Sequence, residues 1–429
     1  MRLCIAGGRV LRPDLSVDRA DVAVDTDSGT VEAVEPDLTG DAELDARGCL
    51  VMPGLVNAHT HLAMTLFRGY ADDKALDRWL REDIWPAEAE LTAADVRAGT
   101  ELALVEAIQA GTTAVGDMYF FEEEVADAVA AAGVRARLGY GVVTVGKDDE
   151  AAREEAATGL EVAADLDGRA DGRVRTAFMP HSLTTVSESV YREFVPRARE
   201  AGVPVHFHAN ETRGEVDPIV EDRGERPLSY ADDLGLLGGS DFLAHGVHLD
   251  DAEVALLAER GTGVVHCPAS NMKLASGLAE VQRLRDAGVP VALGTDGAAS
   301  NNDLDLFDEM RDAAMVGKVA ADDASAVPAA AVVEMATRDG AAVLGVEGGR
   351  VEAGAPADLA VVDLEAAHLT PHHDLVSHLA YAARGSDVRH TVCDGQVLMR
   401  DREVQTLDER AVRERAERRA AALVERATD

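Results

Sequence analysis

The sequence predicts an α/β fold, a (β/α)8 TIM-type barrel with a small β-sandwich domain built from both chain ends. Three observations predict it. Eight short β-rich runs alternate with helical stretches through the middle of the chain. Potentially reactive side chains collect at the C-terminal ends of those runs, the face on which barrel enzymes build their sites. Finally, no G-x-G-x-x-G opens a helix after the first run, which argues against an open dinucleotide-binding sheet.

In chain order the runs are "LVMPGLVNAHTH", "TTAVGDMYF", "VRARLGYGVV", "VRTAFMPHS", "GVPVHFHANE", "DFLAHGVHL", "GTGVVHCPAS" and "VPVALGTDG". Helical patterns are expected over Thr92 to Ala110, Glu123 to Ala132, Glu188 to Ala201, Asp251 to Arg260 and Leu278 to Ala287, several of them closed by glycine. Residues 1–52 and 350–405 carry short β segments and turns in a common style, as in "GRVEAGAPADLAVVDL" and "VRHTVCDGQVLMRDRE". They are expected to combine into one small domain beside a barrel of residues 53–349. Pro53 and Gly54 make the turn between the two. Residues 406–429 read as a solvated C-terminal helix laced with i,i+4 charge pairs, more a packing tail than a binding element.

Composition excludes several function classes. There are 79 acidic against 41 basic residues, a formal net charge of −38, and only Lys74, Lys147, Lys273 and Lys318 are lysines. Phosphate binding needs a basic surface, so no nucleic-acid partner is expected. Such a hydrated acidic surface fits a halophilic protein, because concentrated salt screens its self-repulsion. No apolar run approaches the roughly 18 residues that span a bilayer, so no membrane partner is expected. "MRLCIAGGRV" lacks the apolar core of a signal peptide, and the expectation is a cytoplasmic protein. Cys4, Cys49, Cys267 and Cys393 are too dispersed for a disulfide framework or a thiolate zinc site and read as buried thiols.

The first run ends in His59-x-His61. Residues i and i+2 of a strand share a face, so both imidazoles can reach one ion. His208 on the fifth run and Asp296 on the eighth complete three nitrogen donors and one carboxylate, with room for water. An ion with an open position lowers the pKa of water from about 15.7 toward about 7, so hydrolysis is its natural use. Asp296, Glu211 and His245 are the candidates for the accompanying proton transfers. Other residues carry blander readings. His206 shares the face of His208 and is expected to orient or pack behind the ligands, and His248 to serve a loop. His372, His373, His378 and His390 are expected to pack or face solvent. Asp117 is equally a brace between strands or a catalytic group. Trp79 and Trp85 wall a pocket or pack the long loop after the first run.

Together, "PGLVNAHTHLAMTLFRG", "GTTAVGDMYF", "PHS", "HANET", "AHGVHL", "HCPASNMKLASG" and "LGTDGAASNNDLDLFDEMR" resemble the amidohydrolase superfamily. Within it they look most like the 5′-methylthioadenosine/S-adenosylhomocysteine deaminases and their chlorohydrolase relatives. The resemblance spans nearly the whole chain. It implies metal ligation by His59, His61, His208 and Asp296, and substrate contacts from Glu88, His181, Glu211 and Asp296, with Glu88 at the ribose hydroxyls. It also implies deamination of 5′-methylthioadenosine, S-adenosylhomocysteine, 5′-deoxyadenosine or adenosine, with Glu211, His245 and Asp296 as the catalytic groups. The alternative within the fold is another ring hydrolase, acting on guanine, a triazine or a cyclic amide. Binuclear relatives carry a bridging lysine on the fourth strand. "VRTAFMPHS" has none, so one divalent ion per chain is expected, zinc first, with iron, manganese or nickel also suited to the donor set. Tyr140 stands where these deaminases often carry an arginine for the far end of the substrate, which weakens the case for binding a homocysteine carboxylate. Cys267 replaces a common asparagine, and Phe121 a frequent histidine. The expected partner is a small-molecule nucleoside, and homo-oligomerisation is compatible with the sequence.

Overall fold

Parallel pairing organises residues 55–297 of the computed structural model, which describes residues 1–428. The strands are β1 (Leu55–His61), β2 (Thr112–Tyr119), β3 (Arg135–Val142), β4 (Val174–Thr176, resumed at Met179–Pro180), β5 (His206–Ala209), β6 (Phe242–His245), β7 (Gly263–His266) and β8 (Val291–Leu293, resumed at Asp296–Gly297). Consecutive strands pair in parallel from β1 to β4 and from β5 to β8. Single bridges from Phe178 to Val205 and from Ser182 to His208 carry the series across β4 and β5. The two parts of β8 divide their pairing: Val291–Leu293 lies on β7 and Asp296–Gly297 on β1, so the order of pairing returns to its start. Asn57 ties this junction, accepting from Thr295 N at 3.0 Å and donating to Thr295 Oγ1 at 2.7 Å.

The interruption of β4 has a simple cause. Both parts hold one register against β3, but Phe178 between them turns its pairing to β5. The strands are almost wholly buried, as expected for a parallel sheet covered on both faces. Helices follow them at Ala93–Gln109, Glu122–Ala132, Asp149–Leu166, Glu188–Glu200 and Asp251–Arg260. Reciprocal capping by Thr92 with Asp95 and by Asp250 with Glu253 starts two of these helices. Two sequence expectations need correction. The helix expected over Leu278 to Ala287 is confined to Val281–Asp286, because Glu280 departs from helical dihedrals. The stretch after β1 read as a long loop is largely helical over Leu76–Glu88, supported by Asp77–Arg81 and Arg78–Glu82 pairs at i,i+4. Trp79 packs this segment and donates to Ala71 O.

Two further sheets lie outside this series, the first drawn from residues 2–45 and the second from both chain ends. One has the order Thr30–Glu35, Asp21–Asp25, Arg2–Ala6, Ala42–Asp45. The other contains seven strands and places Leu359–Asp363 antiparallel to Cys49–Pro53. Leu3, Ile5, Val22, Val51, Leu359, Val361 and Val392 form one apolar cluster between them. At the junction with β1 only glycine fits, since a Cβ on Gly54 would lie 2.2 Å from Thr113 Oγ1. The helix Glu409–Thr428 packs on Ala93–Gln109, burying Val412, Ala416 and Leu423, and Arg426 bonds Asp95 at 2.6 Å. All four cysteines are free and buried. No helix among the described residues is long and apolar enough to cross a membrane.

Candidate active site

β1 sends His59 and His61 to one side of its C-terminal end, a direct result of the two-residue strand period. Asp296, the first residue of the second part of β8, lies opposite. Its Oδ1 is 3.2 Å from His61 Nε2 and 3.6 Å from His59 Nε2. His208 comes from β5, its ring centroid 4.8 Å from that of His59. Backbone conformation helps to aim these groups. His245 at the end of β6 has φ 77° and Asp296 has φ 62°, both in the left-handed region that costs a non-glycine residue roughly 1–3 kcal/mol. Strain of this kind collects where geometry serves a site.

Each of these imidazoles is oriented through Nδ1. Met118 O accepts from His61 Nδ1 at 2.6 Å, and His181 O accepts from His208 Nδ1 at 2.8 Å. A carbonyl can only accept, so these Nδ1 atoms carry protons, and Nε2 is the nitrogen each ring turns toward the other site groups. His59 Nε2 is buried and has no hydrogen-bond partner. A buried orphan acceptor facing a carboxylate and further imidazoles calls for a cation. One ligand atom each from His59, His61 and Asp296 lies within 4.8 Å of the others, and the same holds for His59, His208 and His245. The donor set therefore fits a divalent ion. The second group is a finding in itself: it brings His245, read from the sequence as catalytic only, up to the ligand cluster.

Charge follows the geometry. Burial opposes ionisation of Asp296, but the adjoining His59 and His61 imidazoles overcome it and hold the carboxyl well below its usual range. Burial also works against a charged His61, yet the adjoining Asp296 carboxylate raises it to about 9. His59, where burial prevails, falls to about 4. Asp296 Oδ2 accepts from Ser270 Oγ at 2.6 Å and Ser300 Oγ at 2.9 Å, which fixes the carboxylate plane.

Glu211 lies just beyond β5, with Oε2 3.7 Å from His245 Nε2 and Oε1 accepting from Ser276 Oγ at 3.0 Å. Burial raises its carboxyl above the usual range, which favours the protonated form. Asn271 Nδ2 holds His245 Nδ1 at 3.0 Å. His181 lies just past β4, its ring 4.6 Å from that of His208, and its Nδ1 meets Thr185 Oγ1 at 2.9 Å. Glu88 ends the helical segment after β1. Tyr119 Oη donates to its Oε1 at 2.8 Å, and burial pushes its carboxyl up to about 7.

The remaining sequence candidates separate cleanly. Asp117 is a brace: its Oδ1 accepts from Leu62 N at 2.6 Å and Thr60 Oγ1 at 3.1 Å, fixing the turn that follows His61. His206 touches His59, not the ligand atoms. His248 ties loops through Ser276 O, and His372, His378 and His390 bond main-chain carbonyls away from the site. Tyr140 Oη is engaged by Glu155 at 2.8 Å. Sequence reasoning passed over Ser276, Asn271, Ser300 and Tyr119. All four lie inside the polar runs "HCPASNMKLASG", "LGTDGAASNN" and "GTTAVGDMYF", whose density of hydroxyl and amide groups was the available signal.

The amidohydrolase family profile matches residues 50–398. A 5-methylthioadenosine/S-adenosylhomocysteine deaminase of Haloarcula marismortui is 69% identical over 429 residues, covering 100% of this chain and 99% of the relative. A 5′-deoxyadenosine deaminase of Methanosarcina mazei is 44% identical, covering 96% of this chain and 95% of the relative. Among solved structures, an adenosine deaminase from Xanthomonas campestris with bound zinc superposes with a TM-score of 0.93 at 37% identity, covering 98% of each chain.

Proposed function

The chain belongs to the amidohydrolase family, and we propose that it catalyses metal-dependent hydrolytic deamination of an adenosine-type nucleoside, giving the inosine analogue and ammonia. The observation that carries this reading is two three-residue clusters that share His59, one with His61 and Asp296 and the other with His208 and His245, with Glu211 beside His245. His59, His61, His208 and Asp296 would hold one divalent ion, zinc by preference, with iron, manganese or nickel also matched to the donors. When bound, the ion supplies the Lewis acidity that makes water a nucleophile at neutral pH.

The protein groups do the rest. Asp296 takes the proton of the attacking water, and His245 orients that water. Glu211, whose carboxyl burial raises, delivers a proton to the purine ring nitrogen as C6 becomes tetrahedral. Asp296 passes its proton to the C6 amino group, which leaves as ammonia, and the remaining hydroxyl proton restores Glu211 as the C6 carbonyl forms. Glu88 binds the ribose hydroxyls as an acceptor, and His181, a neutral imidazole pushed down to about 3 by burial, contacts the substrate beside it. Tyr140, held by Glu155, offers no cation for a homocysteine carboxylate, which supports a preference for a neutral 5′ group.

The same reading takes the parallel strands as a (β/α)8 barrel of residues 53–349. Residues 1–52 and 350–405 are two parts of a small β-sandwich, and the helix expected within 406–429 is Glu409–Thr428, Asp429 lying outside the described residues. The acidic surface supports a halophilic cytoplasmic enzyme. Ammonia release from adenosine, 5′-methylthioadenosine, 5′-deoxyadenosine, S-adenosylhomocysteine and guanine tests the substrate. Turnover of the adenine nucleosides is expected. Turnover of guanine alone would overturn the reading in favour of a base deaminase.

A further inference from the structure

His59 differs from the other two ligand imidazoles in what holds it. His61 and His208 donate to main-chain carbonyls. The Nδ1 of His59 instead faces a side chain, His206 Nε2, at 2.8 Å, and His206 Nδ1 lies 3.0 Å from Phe242 O. This short chain allows one assignment of protons. Phe242 O can only accept, so the proton of neutral His206 is on Nδ1, and its Nε2 presents a lone pair. That lone pair is satisfied only by a proton on His59 Nδ1. His59 Nε2 is then bare, and it is the buried, unpartnered atom 3.6 Å from Asp296 Oδ1.

We infer that His206 is a positioning residue that fixes His59 as its Nδ1–H tautomer and so presents Nε2 to the metal ion. The inference rests on the metal site of the proposed function. His206 is built for the task. It precedes His208 by two residues on β5, so the strand period that points a ligand inward also places the orienting ring behind the neighbouring ligand. Its ring is 1% exposed and stacks on Phe242, with centroids 4.1 Å apart and an 18° interplanar angle. Rotation that would break the hydrogen bond is therefore blocked. An imidazole nitrogen is also a more basic acceptor than an amide carbonyl, so it draws on the His59 Nδ1 proton and strengthens Nε2 as a donor.

Two substitutions separate orientation from packing. His206→Leu fills the space but leaves His59 Nδ1–H without an acceptor. His206→Gln keeps an oxygen to accept from His59 and an amide group to donate to Phe242 O. Zinc affinity is measured by competition with a chromophoric chelator, together with the rise in Tm on loading metal-stripped protein with zinc. His206→Leu is expected to lower affinity about 10- to 100-fold and to shrink the zinc-induced rise in Tm, and His206→Gln to recover most of both. The role is overturned if His206→Leu binds zinc as tightly as the parent. It is equally overturned if that variant loses stability when stripped yet keeps the full zinc-induced rise, or if His206→Gln is as weak as His206→Leu. A parent chain that takes up no divalent ion would instead remove the metal site itself, and this role with it.

Discussion

The ligand wall and the substrate wall of the site are held by different kinds of contact. His61 and His208 are oriented by main-chain carbonyls on neighbouring strands. Glu211 and Glu88 are oriented by single hydroxyls, Ser276 Oγ and Tyr119 Oη, from other parts of the chain. A carbonyl persists whatever side chain is attached to it, whereas a hydroxyl is lost with one substitution. The orientation of His61 and His208 is thus protected by the main chain, and the substrate geometry is open to adjustment residue by residue. His59 and Asp296 are the exceptions on that wall, since side chains orient them: His206 the first, and the hydroxyls of Ser270 and Ser300 the second.

The difference predicts how variants divide, beginning with the most severe. Asp296→Asn removes a ligand and a proton acceptor together. Metal content measured by mass spectrometry should fall to a small fraction of an equivalent, and ammonia release should drop by on the order of 10⁴-fold. Glu211→Gln should leave metal content intact and lower kcat by about 10² to 10⁴-fold, the usual worth of a positioned proton donor. Loss of metal from that variant would contradict the division between the walls.

The ligand wall was also the legible part of the sequence. His59 and His61 announce themselves through a two-residue period at the end of an apolar run, and Asp296 through its place at the end of the last one. The substrate wall was not. Nothing local in "MYF" or "KLASG" says that Tyr119 will meet Glu88 or that Ser276 will meet Glu211, because those meetings depend on how distant loops pack. The helical segment Leu76–Glu88 read as a loop, for its aspartates and Pro86 are turn residues by composition, and only tertiary contact with Trp79 buried makes it a helix. The division of β8 between β7 and β1 was likewise invisible, since strand pairing is a property of neighbours.

Smaller effects belong to Glu88. Its carboxyl stands at about 7 because of burial. Only the ionised form is a pure acceptor for ribose hydroxyls, so its share rises with pH. KM for a nucleoside should therefore fall by about tenfold between pH 6 and pH 8, and Glu88→Gln should flatten that dependence. A KM that rises over the same range would show that the protonated form binds. Tyr119→Phe removes the hydrogen bond that lowers the Glu88 pKa. It should raise KM by about 3- to 10-fold, move the fall in KM to higher pH, and leave metal content unchanged.

The central claim is that one divalent ion in this ligand set serves deamination of a nucleoside. Adding zinc in steps to metal-stripped protein while following ammonia release from 5′-methylthioadenosine or 5′-deoxyadenosine tests it most directly. Activity should rise in proportion to zinc and level off at one equivalent per chain, with His208→Ala showing neither uptake nor activity. A plateau at two equivalents, or full activity in the stripped protein or in His208→Ala, would contradict the account.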